Sequence, residues 1–103
     1  TDPTLQRLYD QLIADGSESL DAALRVGAFI EETDIVDLRA RSAATDVPAI
    51  LTVYANLERG SRNHLRAFIS QLESRDATYE PTELDPATFD AIVSSENERG
   101  PAG

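Results

Sequence analysis

No cysteine, methionine, tryptophan or lysine occurs among these 103 residues. Without cysteine there are no disulfides, no thiolate-zinc sites and no thiol catalysis. No apolar run approaches the roughly 20 residues that a membrane-spanning helix needs. Cationic residues are few and all of them arginine, 9 against 19 acidic residues, and the net charge of -10 argues against nucleic acid or an anionic membrane as partner. Histidine occurs once, at His64, and no nucleophile elbow, phosphate loop or His-Glu-x-x-His helix accompanies it. A chain that starts at Thr1 without any methionine reads as processed or as a piece of a longer one, so its compartment stays open.

What is present is helical patterning. Asp2-Pro3 supplies an N-cap and first-turn pair for a short helix carrying Leu5, Leu8, Leu12 and Ile13, and Asp15-Gly16 supplies its left-handed C-cap. Ser17 or Ser19 caps a second helix that runs to about Ala44, interrupted only by Gly27. Asp46, followed by Pro48, caps a third helix to about Ser74, and Asp85-Pro86 opens a last short one through Phe89, Ile92 and Val93. The spacing predicts helices over 3–14, 18–44, 47–74 and 86–93. Residues 1–94 make one helical domain, and the polar, Gly/Pro-containing stretch 95–103 is expected to be a disordered tail.

The two long helices are each about 40 Å at ~1.5 Å per residue. Only a few residues around Thr45 separate them, which forces an antiparallel hairpin. Apolar positions recur in alternating steps of three and four along Leu20, Leu24, Gly27, Glu31, Asp34 and Leu38, and along Ile50, Tyr54, Leu57, Ser61, His64 and Phe68. Both stripes turn polar midway. Measured from the turn, Glu31 and Ser61 fall within roughly 3 Å of one level, with His64 about one turn further on. Leu20, Leu24, Ile30, Leu38, Ile50, Leu57, Leu65 and Phe68 are therefore the expected core. Val26, Phe29, Ile30 and Val36 point elsewhere on the second helix, so it needs neighbours on two sides. The short helices cover part of that surface, and a second copy or a missing N-terminal half must cover the rest.

Several segments carry a family resemblance: Leu8-Tyr9-Asp10-Gln11-Leu12, Gly27-Ala28-Phe29-Ile30-Glu31-Glu32, Asp34-Ile35-Val36-Asp37-Leu38, the block from Gly60 to Phe68, and Tyr79-Glu80-Pro81. Over nearly its whole length the chain resembles the C-terminal half of a bacterial and archaeal ferritin-like family known mainly as a domain of unknown function. It is less closely similar to encapsulated ferritin, whose two-helix subunits dimerise around a di-iron centre. The resemblance implies an all-α, ferritin-like antiparallel hairpin, half of a four-helix bundle, with short flanking helices. It also implies iron or manganese held between helices. In that likeness a Glu-Glu pair matches Glu31-Glu32 and the histidine of Glu-x-x-His matches His64, while Ser61 stands where its glutamate belongs. The likeness favours Glu32 as the ligand, whereas the stripe count favours Glu31.

Two functional classes follow. One is a metal-binding bundle whose site, Glu31 or Glu32 with His64, is completed by self-association, as a dimer or higher oligomer, or by the missing helix pair. The other is a metal-free scaffold that oligomerises, with His64 hydrogen-bonded to Glu31 or Tyr54. Catalysis is left open. Asp34 is a further candidate ligand, or a salt-bridge partner of Arg62 or Arg66. Close helix approach is expected at Gly27 and Gly60, each of which costs up to ~1 kcal/mol in a helix interior.

Overall fold

The structure, a computed structural model, describes residues 2–14 and 19–99, with backbone alone for 8, 9, 11–14 and 19. The Asp15-Gly16 cap, the choice between Ser17 and Ser19, the Leu8, Leu12 and Ile13 stripe and residues 100–103 lie outside the described part.

Helix α1 spans Pro3–Ala14, α2 Ser19–Ala43, α3 Pro48–Ser74 and α4 Pro86–Val93, with no strand among the described residues. The caps are those that local chemistry favours. Asp2 accepts from the backbone N–H of Thr4 at 2.8 Å, and Asp85 accepts from both the N–H (3.0 Å) and the hydroxyl (2.6 Å) of Thr88. For α3 the expectation of Asp46 is corrected: Val47 is the capping residue, with no side-chain bond, and Pro48 starts the first turn. The end of α3 closes on Asp76 in the left-handed region (φ 56°). There the N–H of Ala77 reaches the carbonyl of Leu72 (2.9 Å) and that of Asp76 reaches Glu73 (3.0 Å), a Schellman closure.

Helices α2 and α3 are antiparallel. Their side-chain partners step up one helix as they step down the other: Arg39 with Glu58, Glu31 with His64, Asp21 with Arg75. Helix α1 packs against α2, and α4 against α3.

The core differs from the expected one. Ala28 and Ile35 of α2, Leu65, Ile69 and Leu72 of α3, and Leu84, Phe89 and Ile92 of the C-terminal segment form it. Of the expected core residues only Leu65 is fully buried; Leu20, Ile50 and Leu57 are exposed, while Leu24, Ile30, Leu38 and Phe68 are intermediate. The reason is physical. The hairpin is apolar on two sides, and the loop after α3 folds back with α4 over the side that carries Ala28, Ile35 and Ile69. The stripe through Leu20, Leu38, Ile50 and Leu57 is left on the other side.

Glu32 anchors that fold-back. It is fully buried, and its carboxylate accepts from the Tyr79 hydroxyl and from the backbone N–H groups of Thr82 (3.3 Å), Glu83 (3.1 Å) and Leu84 (2.9 Å). A turn that would otherwise bury unpaired donors is thereby satisfied. Burial first, and the Glu32 carboxylate second, push the Tyr79 phenol above its ordinary range, so it remains a donor.

The tail also departs from expectation. Rather than being disordered from residue 95, it is held as far as Glu98, whose backbone and side chain are both bound by α3.

Candidate functional site

The uncovered side of the hairpin holds a groove of about 500 Å³ bordered by Glu31, Asp34, Leu57, Gly60, Ser61 and His64. His64 Nδ1 lies 3.5 Å from Glu31 Oε2. The helical repeat sets Ser61 and His64 on one face of α3, and the short turn brings them level with Glu31. Burial raises the Glu31 carboxyl above its ordinary value; the charge of His64 and the hydroxyl of Ser61 oppose this, and Asp34 adds to it. Asp34, at the rim, is raised by its own burial and by Asp37. The groove is thus acid-rich, with one imidazole facing it.

Of the candidate ligands, the structure brings Glu31 and His64 together and takes Glu32 away. Glu32 points to the opposite side of α2, where its oxygens are occupied by the Tyr79–Leu84 turn. Consecutive residues on a helix stand about 100° apart, so two adjacent glutamates cannot both face one groove. His64 faces Glu31 from the surface and not from the core: its side chain is 69% exposed. Asp34 pairs with neither Arg62 nor Arg66, which bind Glu58 and Glu98 instead. Among the described residues no group of three or more histidines and carboxylates stands close enough to hold a metal ion.

The two helix glycines have different reasons. A Cβ on Gly27 would come within 2.7 Å of the Phe68 ring, so glycine there leaves room for that ring against α2. At Gly60 a Cβ would meet nothing within 4 Å. Around this groove Ile50, Val53 and Leu57 expose an apolar strip, at 41%, 53% and 54%.

On the opposite flank of α3 lies a cluster that the i,i+4 spacing of Arg62 and Arg66 only hinted at. Arg62 Nε and Nη2 fork onto the two oxygens of Glu98 at 2.6 and 2.7 Å, and Arg66 Nη2 adds a third bond at 2.7 Å. Hydrogen bonds from Arg62 and then Arg66 hold the Glu98 carboxyl down to about 2 against opposing desolvation. A depressed folded-state value means that this clamp contributes its stability above the ordinary 4.5 and loses it as the pH falls toward about 2. Amide exchange at residues 95–98 should therefore accelerate as the pH falls through that window relative to α3, after correction for intrinsic rates. Protection that survives to the bottom of the window, or that is already lost above it, would contradict the clamp.

The model of an uncharacterized protein domain family, DUF2202, matches residues 1–96. The chain belongs to this family. It is 41% identical over 100 residues to the uncharacterized protein MJ0754 of Methanocaldococcus jannaschii, an alignment covering 97% of this chain and 54% of that one. The crystal structure of hypothetical protein MJ0754 is similar with a TM-score of 0.80 at 40% identity, covering 95% of this chain and 56% of that one. The DUF2202 chain described here spans about half the length of the relative it matches.

Proposed function

We propose that this DUF2202 chain is half of a ferritin-like helical metal site, in which Glu31 and His64 are ligands for iron or manganese and a second copy packed on the open face supplies the rest. The carrying observation is the partly desolvated Glu31 carboxyl 3.5 Å from His64 in an open groove. Carboxylate with imidazole is a donor set that suits these metals. Two such ligands fill only part of a coordination sphere, with Ser61 beside them and Asp34 at the rim, so the residues present fit half a centre. The strip at Ile50, Val53 and Leu57, and the open space over Gly60, support closure by another helix pair. Bound there, the metal would supply one-electron chemistry; the chain's part is to hold it, exclude water with the apolar strip, and give up the Glu31 proton on binding.

The runner-up is a metal-free oligomeric scaffold. The pairing of Glu31 with His64 favours it, because the two charges offset one another without a metal.

Titration of the purified chain with Mn(II), and anaerobically with Fe(II), separates these readings. Because burial raises Glu31 and a metal takes its ionised form, affinity should increase as the pH rises through that raised carboxyl range. His64→Ala should weaken binding by at least about tenfold. Metal binding that is absent in the native chain, or indifferent to His64→Ala, would leave the scaffold reading.

A further inference from the structure

The Arg62–Asn63–Arg66 cluster grips Glu98 in two separate ways. The side-chain carboxylate takes the forked guanidinium of Arg62 and one arm of Arg66. The peptide backbone of the same residue is held by an amide: Asn63 Nδ2 donates to the Glu98 carbonyl at 2.9 Å, and Asn63 Oδ1 accepts from the Glu98 N–H at 2.8 Å. Reading one residue by both its carboxylate and its two backbone groups is how a protein recognises an extended acidic peptide, not a free anion.

The grip has partners outside the tail, although Arg66 Nη2 also donates to Ser95 Oγ of the tail at 2.9 Å. Arg62 Nη1 also donates to Glu58, which Arg39 holds from α2 at 3.2 Å. Arg66 is 8% exposed; its Nε donates to the Ile92 carbonyl at 2.8 Å and its Nη1 to Asn63 Oδ1 at 2.7 Å. The guanidiniums and the amide are thus held by groups other than Glu98, on a helix that belongs to the core. Helix α4 keeps its own tie to Arg66 through Ile92, a contact that does not pass through Glu98. Beside the grip lies an open cavity of about 580 Å³ with Arg39 and Thr88 on its walls, room for neighbouring residues of a bound segment.

We infer that Arg62, Asn63 and Arg66 form a binding site for an extended acidic peptide, filled within this chain by Glu98 and open to a glutamate-bearing segment of another polypeptide. The tethered tail competes at an effective concentration of about millimolar, so ligands in trans are masked until the tail leaves.

The test uses a blocked peptide of residues 94–99, labelled for anisotropy, with the full chain. Glu98→Ala should bind it at least about tenfold more tightly than the native chain, since the tethered competitor is gone. Adding Arg62→Ala to Glu98→Ala should remove binding, as should a peptide carrying glutamine in place of its second glutamate. Glutarate offers the carboxylate without the peptide amide and should bind at least about tenfold more weakly, for want of two hydrogen bonds. A folded Glu98→Ala chain that ignores the peptide, binds the glutamine peptide equally, or binds glutarate as well, overturns the assignment. If Glu98→Ala does not fold, the native chain decides. Millimolar peptide should shift the Glu98 amide resonance to its free position, and an unmoved resonance would overturn the proposal.

Discussion

Glu32→Leu should cost about 3–5 kcal/mol of stability, the scale of orphaning several donors that share one buried acceptor. The carboxylate sits at full burial and receives one phenol and three backbone N–H groups. An apolar side chain leaves those donors without this acceptor; the Leu84 N–H is buried and those of Thr82 and Glu83 are nearer the surface, and each buried orphan costs about 1–3 kcal/mol. Glu32→Gln keeps the volume but turns an NH2 toward donors, so it should also destabilise, by about half as much. Tyr79→Phe removes a single donor and leaves the carboxylate three others; it should cost only about 1 kcal/mol. Against a total of about 5–15 kcal/mol for a domain of this kind, the Leu variant should be near the edge of folding. Urea unfolding with a common m-value measures the series, and amide exchange should show the 79–84 turn and α4 loosening first. A Glu32→Leu variant within about 0.5 kcal/mol of native, the range of ordinary surface changes, would mean that the turn finds other partners.

The second large effect is expected at Ser61, which is 8% exposed and next to Glu31. Ser61→Glu sets a second carboxylate one turn before His64. Without metal it brings two desolvated acids together and should destabilise the chain by a few kcal/mol. With Mn(II) or Fe(II) present the same carboxylate becomes a ligand, and affinity should rise by at least about tenfold over the native chain. A variant that loses stability and gains no metal affinity would reduce Glu31 and His64 to an ion pair.

The helices were legible because their ends are written in local chemistry: Asp2 with Pro3, Pro48, and Asp85 with Pro86 each fix a first turn from residues adjacent in sequence. The meeting of Glu31 with His64 was legible too, since a short turn and a fixed rise per residue set which positions share a level. Which side of the hairpin is covered was not. Both long helices are apolar on two sides, and periodicity cannot tell a stripe that waits for a partner from one that the chain covers itself. Glu32 illustrates the gap. Three of its four partners are backbone N–H groups some fifty positions away, which leave no side-chain signature. The likeness drew Glu32 toward the site, whereas helix geometry alone selects Glu31. Glu98 was hidden for a similar reason: a polar tail reads as solvated until two arginines and an asparagine are seen to converge on it.

The pairing of a half-site with an open helix face is tested most directly by one measurement on the native chain: metal content by elemental analysis after Mn(II) or anaerobic Fe(II) loading, on fractions whose mass is determined by light scattering. One or more metal ions per dimer, with the dimer favoured by metal and weakened by a chelator, is the expected result. A metal-free protein whose mass does not respond to either ion would contradict it.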